Sequence, residues 1–140
     1  AVGVAALSPP LRQAMRLEAP ITFVKRVAAG TPVSYGGLWR APADTTLATV
    51  RMGYADGYPR QLTGKGWVSL RGQRCEVVGR VCMDQLMIDV GALDGVTPGE
   101  RVTLWGEDGP NAEDLAHSFG TVSYELLTGV GPRVPRFYTN

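Results

Sequence analysis

Apolar and polar residues partly alternate from Met15 to Val27, with Met15, Leu17, Ala19, Ile21 and Phe23 on one side. A period of two is the mark of a β-strand with one covered face. Pro20, which has no N–H to give to a ladder, predicts an edge or a bulge there. Ala29-Gly30-Thr31-Pro32 reads as a turn, and a second strand is expected through Val33, Tyr35 and Leu38-Trp39. The β-branched run Thr46 to Met52 predicts another, closed by Ala55-Asp56-Gly57. Further strands are expected at Gly66 to Leu70, Gln73 to Val81, Leu86 to Val90 and Arg101 to Trp105. A last one, Arg133 to Tyr138, contains Pro135 and belongs at an edge.

Helical signals occur twice. Asn111 is placed to cap a short helix through Ala112 to Phe119, with Glu113 and Asp114 suited to its first turn. Thr121 to Thr128 predicts a second short helix, stopped by Gly129. With 18 glycines and 10 prolines in 140 residues, short strands are favoured over long helices. The fold class is therefore mainly β, a β-barrel or sandwich of many short strands with two short helices. No internal repeat or low-complexity tract interrupts it.

A length of 140 residues suits one domain with its own core. The net charge of +1 gives no field that would draw in a nucleic acid, a membrane surface or another polyanion. Ala1 to Leu7 is apolar but too short to span a bilayer, and no basic stretch precedes it as in a signal peptide. It reads as the end of a buried strand from a preceding unit, dividing the chain into a remnant over 1–9 and a domain over 10–140. Cys75 and Cys82 are expected to be reduced thiols of a cytoplasmic protein, although their spacing alone leaves a disulfide open. His117 is the only histidine, which argues against a zinc site.

Four segments combine glycine with tyrosine, arginine or acid in ways that a β core does not require. They are Val33-Ser34-Tyr35-Gly36, Gly53 to Arg60, Gly79 to Gln85, and Ser123-Tyr124-Glu125 with Arg133-Val134-Pro135-Arg136. In these blocks, in order and from about Arg16 to Tyr138, the sequence resembles the C-terminal β domain of the alanine racemase family. The resemblance implies a two-domain subunit in which a preceding (β/α)8 barrel carries pyridoxal phosphate on a lysine. It also implies a head-to-tail homodimer, each active site lying between one barrel and the partner's β domain. Ala1 to Leu7 then corresponds to the last barrel strand, with the backbone of Gly3 and Val4 near the cofactor phosphate. That opening departs from the family pattern, which has an arginine and a later Tyr-Gly pair where this sequence has Ala1 and Ala6-Leu7.

Residue by residue, Tyr35 matches the family's catalytic tyrosine. Racemisation removes a proton from one face of Cα and returns one to the other, so two bases must face each other across the substrate. A phenol ordinarily ionises near pH 10. A tyrosine base working at neutral pH therefore needs about 3 to 4 kcal/mol of phenolate stabilisation from positive or donating neighbours. Tyr54 matches a tyrosine lining the entrance, and Arg60 and Arg80 match arginines of that corridor, suited to attract an amino-acid carboxylate. Met83 matches a residue whose backbone N–H faces the substrate carboxylate, and Asp84 one that orients neighbouring groups. Tyr124 matches the tyrosine that donates to the cofactor phosphate, and Arg136 is read as a structural or interface charge. The plainer alternatives are core tyrosines at Tyr35 and Tyr124, a turn-flanking aromatic at Tyr54, solvated arginines and a turn aspartate bonding its own backbone.

The cofactor lysine itself is absent: Lys25 and Lys65 are the only lysines, and both read as solvated charges. The isolated chain is accordingly expected to be inactive. A β-barrel used only for assembly and a nucleic-acid-binding barrel are the competing classes; the second lacks the expected basic stripe. Decarboxylases of basic amino acids share the two-domain plan but fit the Val33 and Gly79 blocks less well.

Overall fold

The structure, a computed structural model, describes residues 11–139. Six strands close an antiparallel barrel in the order β1 (Leu17–Val27), β4 (Thr45–Val50), β7 (Leu86–Asp89), β6 (Gln73–Val78), β5 (Trp67–Leu70) and β8 (Arg101–Trp105). The two-residue strands β2 (Pro32–Val33) and β3 (Trp39–Arg40) pair separately. Helices α1 (Ala112–Ser118) and α2 (Ser123–Thr128) follow the last strand.

The long first strand serves two neighbours. Its first part pairs with β8, from Leu17↔Trp105 to Pro20↔Arg101, and its second with β4, from Ile21↔Val50 to Val27↔Thr45. Pro20 sits at this handover, between register shifts at Leu17/Glu18 and Ile21/Phe23, where a missing N–H is tolerated. Inward-facing Leu17, Ala19 and Ile21 meet Val50, Val68, Leu86, Ile88, Val102 and Leu104 in one buried core. Leu115, Ala116 and Leu126 join it, so both helices pack on the barrel by their apolar sides. Asn111 caps α1 as its sequence requires, its side-chain oxygen accepting from the Glu113 and Asp114 N–H groups at 2.8 and 3.4 Å. A second, smaller cluster of Val27, Val33, Ala41, Leu47 and Val78, covered by Trp39 and Met87, seats the β2–β3 excursion on the outer barrel wall.

One expected strand is broken in two and another does not form. The run through Val33, Tyr35 and Trp39 breaks into a 3-10 turn over Tyr35–Gly37, because Ser34, Gly36 and Gly37 all take positive φ (64°, 78° and 56°). Arg133 to Tyr138 joins no ladder, since pairing of β1 with β8 has already closed the barrel and leaves no edge to extend. Cys75 and Cys82 are free thiols, the first buried in β6 and the second half-buried in the loop after it. Among the described residues, no helix is long and apolar enough to cross a membrane, and no group of three or more His, Cys, Asp or Glu could hold a metal ion. The proposed boundary near residue 9 lies outside the described residues.

Candidate active-site face

Loops 51–66 and 79–85 leave the barrel at the same end, because Val50 closes β4 directly opposite Leu86, which opens β7. Their backbones dock on each other: Tyr54 N–H donates to the Cys82 carbonyl at 3.0 Å and Ala55 N–H to the Met83 carbonyl at 2.9 Å. Thr63 adds a stitch, its hydroxyl accepting from Val81 N–H at 3.0 Å and donating to the Arg60 carbonyl at 2.7 Å. The Tyr35 turn joins from the side. Gly79, at φ 70°, leaves room for it: a Cβ there would lie 2.5 Å from Ser34 Cβ and 2.9 Å from the Val33 carbonyl oxygen. The Ser34 hydroxyl then donates to the Arg80 carbonyl at 2.8 Å.

These contacts form a depression of about 280 Å³ lined by Tyr35, Tyr54, Arg60, Arg80 and Met83, together with Val81 and Cys82. Five residues singled out in three separate sequence blocks thus share one site. Tyr35 is 76% exposed, which disposes of the core-tyrosine alternative for it; Tyr54, 45% exposed, opens a 3-10 turn over Tyr54–Asp56 and also lines the depression. Two guanidinium groups and no carboxylate line the depression, so it favours a ligand carrying negative charge. Arg80 Cζ lies 6.0 Å from the centroid of the Tyr35 ring. Val81 and Cys82 carried no role in the sequence reading; their position between Arg80 and Met83 was the available signal.

The remaining candidates lie elsewhere. Asp84 does not line the depression; Arg133 Nη2 donates to it at 3.1 Å and to Asp56 at 2.9 Å. These two carboxylates, Asp84 foremost, hold the Arg133 guanidinium above its usual range. Tyr124 stands on α2, 73% exposed and outside the depression. Its helix reaches the same loops, since Gly131 N–H, just beyond α2, donates to the Asp56 carbonyl at 3.0 Å. Arg136 donates to the Val130 carbonyl at 3.1 Å, a structural contact. Gly3 and Val4 lie outside the described residues. Tyr58, from the same block as Tyr54, is fully buried and stacks on Trp105 with ring centroids 6.4 Å apart. Burial pushes its phenol well above the usual range, and its hydroxyl has no hydrogen-bond partner.

Residues 14–138 match the family model described as alanine racemase, C-terminal domain. The alanine racemase of Deinococcus deserti is 51% identical over 127 residues, covering 91% of this chain and 36% of the relative. The crystal structure of the Streptomyces lavendulae alanine racemase superposes with a TM-score of 0.87 at 41% identity, covering 93% of this chain and 35% of that one. The Bartonella henselae alanine racemase, described with covalently bound pyridoxal phosphate, superposes with a TM-score of 0.84 at 34% identity, covering 89% and 34%. The chain therefore spans about a third of the length of these relatives. With its closed barrel, its two short helices and a family match across nearly all the described residues, the chain belongs to the alanine racemase C-terminal domain family.

Proposed function

We propose that residues 10–140 of this chain, as the C-terminal domain of a two-domain subunit, form one wall of an active site that interconverts L- and D-alanine. The observation that carries the reading is the outward-facing Tyr35 phenol in a depression lined by Arg60 and Arg80 and by no carboxylate. The other wall is a preceding barrel domain with its lysine and pyridoxal phosphate, contributed across a head-to-tail homodimer. The chain alone is inactive, because Lys25 and Lys65 are both exposed and neither lines the depression. The setting is cytoplasmic, and the product is D-alanine for the bacterial cell wall.

Pyridoxal phosphate, when bound, acts as the electron sink that makes the substrate α-proton acidic. This chain's residues handle the rest. Tyr35 takes or gives the proton at its phenolic oxygen on one face of Cα. The Met83 N–H, which has no hydrogen-bond partner among the described residues, is available to the substrate carboxylate. Arg60 and Arg80 draw that carboxylate in past Tyr54. Asp84, tied to Arg133, keeps the Met83 loop in place. The donor set also fits the cofactor: Tyr124 is exposed, and its hydroxyl would be a neutral donor for the phosphate, the role that the resemblance also gives to Gly3 and Val4, which lie outside the described residues.

The test is α-proton exchange of L- and D-alanine in D2O, followed by NMR, on the full-length protein and its Tyr35→Phe variant. Exchange of both enantiomers by the parent, with one enantiomer selectively lost in the variant, supports the reading. A parent that exchanges neither with pyridoxal phosphate present overturns it. Weaker subunit association in the variant without loss of exchange would indicate a module used only for assembly.

A further inference from the structure

Arg80 has an unusual setting for a corridor arginine. Its Nε is buried without a hydrogen-bond partner, and among the described residues no carboxylate forms a salt bridge with it. What holds the guanidinium is packing. A Cβ on Gly36 would lie 3.4 Å from Nε, 3.6 Å from Nη2 and 3.7 Å from Cζ, so the group lies against the backbone next to Tyr35. The Tyr35 ring centroid is 6.0 Å from Cζ. The Arg80 carbonyl in turn accepts from Ser34 Oγ at 2.8 Å, so the same residue grips the Tyr35 turn from both main chain and side chain.

We propose that Arg80 is a positioning residue for Tyr35: it fixes the ring's placement and sets an unpaired positive charge beside it that favours the deprotonated phenol. This rests on Tyr35 being the proton-transferring group and explains how the chain itself supplies part of the phenolate stabilisation. Among the described residues, the charged side chains that line the depression with Tyr35 are Arg80, from the loop between β6 and β7, and Arg60, from the loop between β4 and β5. No acid of the depression offsets them. Arg80 Cζ is 6.0 Å from the ring centroid, and a unit charge at about that range from a phenolate oxygen would favour ionisation about 3-fold in a water-like medium and about 100-fold at the effective dielectric of a protein surface.

The experiment uses the full-length holoenzyme with 13Cζ-labelled tyrosine and compares the parent with R80Q and R80K. The Tyr35 resonance is assigned by its loss in Tyr35→Phe. The expected result is a titration midpoint for Tyr35 that rises by roughly 0.5 to 2 pH units in R80Q and returns towards the parent in R80K, following the 3- to 100-fold range. In the racemase assay, kcat should fall in R80Q with the deficit shrinking as pH rises. An unchanged Tyr35 midpoint in R80Q overturns the inference, as does a loss confined to KM at every pH, which would leave Arg80 only the corridor role. If R80Q does not fold, the charge-keeping R80K decides: a midpoint raised as far as the 3- to 100-fold range allows would mean that charge is not what matters. A parent that does not racemise would overturn the proposed function, while the NMR titration would still report on Arg80 and Tyr35.

Discussion

Replacing Gly53 with alanine would test how the site is built. The backbone there is extended (φ −148°, ψ −171°), a conformation open to any residue, so only space demands glycine. An added Cβ would lie 2.3 Å from both the Cys82 and Met83 carbonyl oxygens and 2.4 Å from the Met83 carbonyl carbon. Carbon–oxygen contacts settle at about 3.3 Å or more, so the two loops would have to part by about 1 Å. That movement takes the Tyr54–Cys82 and Ala55–Met83 hydrogen bonds, now 3.0 and 2.9 Å, out of bonding range. Each bond contributes about 1 kcal/mol, and more where a group is left without a partner, giving a loss of about 2 to 4 kcal/mol. With a typical urea dependence of about 1 to 3 kcal/mol per molar, the unfolding midpoint should fall by about 0.7 to 4 M. Amide exchange should identify Tyr54 and Ala55 as the first N–H groups to lose protection. An unchanged midpoint with both amides still protected would refute the reasoning and mean that the loops separate at little cost.

Two further outcomes concern thiols and acid. Burial, with Asp89 and Glu76 adding to it, pushes the Cys75 thiol up to about 11, so a thiol reagent at pH 8 should modify only Cys82, and C82S should abolish the fast phase. Because the Cys75 proton is held more tightly in the fold, its contribution to stability is complete below the ordinary thiol value of about 8.5 and is lost as pH rises towards about 11. The Glu100 carboxylate accepts from Arg71 at 2.7 and 2.9 Å and from Thr97 N–H at 2.8 Å, and Arg71 foremost holds it below the usual carboxylate range. Its stabilisation is therefore present above about pH 4.3 and lost as pH falls through the lower folded value. E100Q should unfold more easily than the parent at neutral pH, and the gap should close in acid denaturation curves; a constant gap would mean that this ion pair does not carry the effect.

The barrel strands were legible because alternation marks a wall with one covered face. Leu17, Ala19 and Ile21 face the core as their spacing requires, and Asn111 begins its helix where its side chain can accept two N–H bonds. Tyr35 was placed on a strand because its neighbours have strand-like composition. Ser34, Gly36 and Gly37, on either side of Tyr35, take positive φ where the turn packs on Gly79 and Arg80, far along the chain, and no local pattern records that. Arg133 to Tyr138 looked like a strand for the same reason; whether it pairs depends on a free edge, a property of the closed sheet. The blocks of glycine, tyrosine and arginine identified most of the depression without showing how its parts meet. Asp84 illustrates the limit, since its neighbour Met83 lines the depression while its own carboxylate turns to Arg133.

The pairing of Leu17 with Trp105 has a consequence for the order of events during synthesis. All three loops that compose the depression are made before β8 emerges to meet β1, so no shorter nascent chain has a closed wall to hold them. Closing so long a loop costs entropy that only the completed core offsets, which makes β1–β8 pairing a late step in folding. The depression thus comes into being only after nearly the whole of β1 to β8 has left the ribosome.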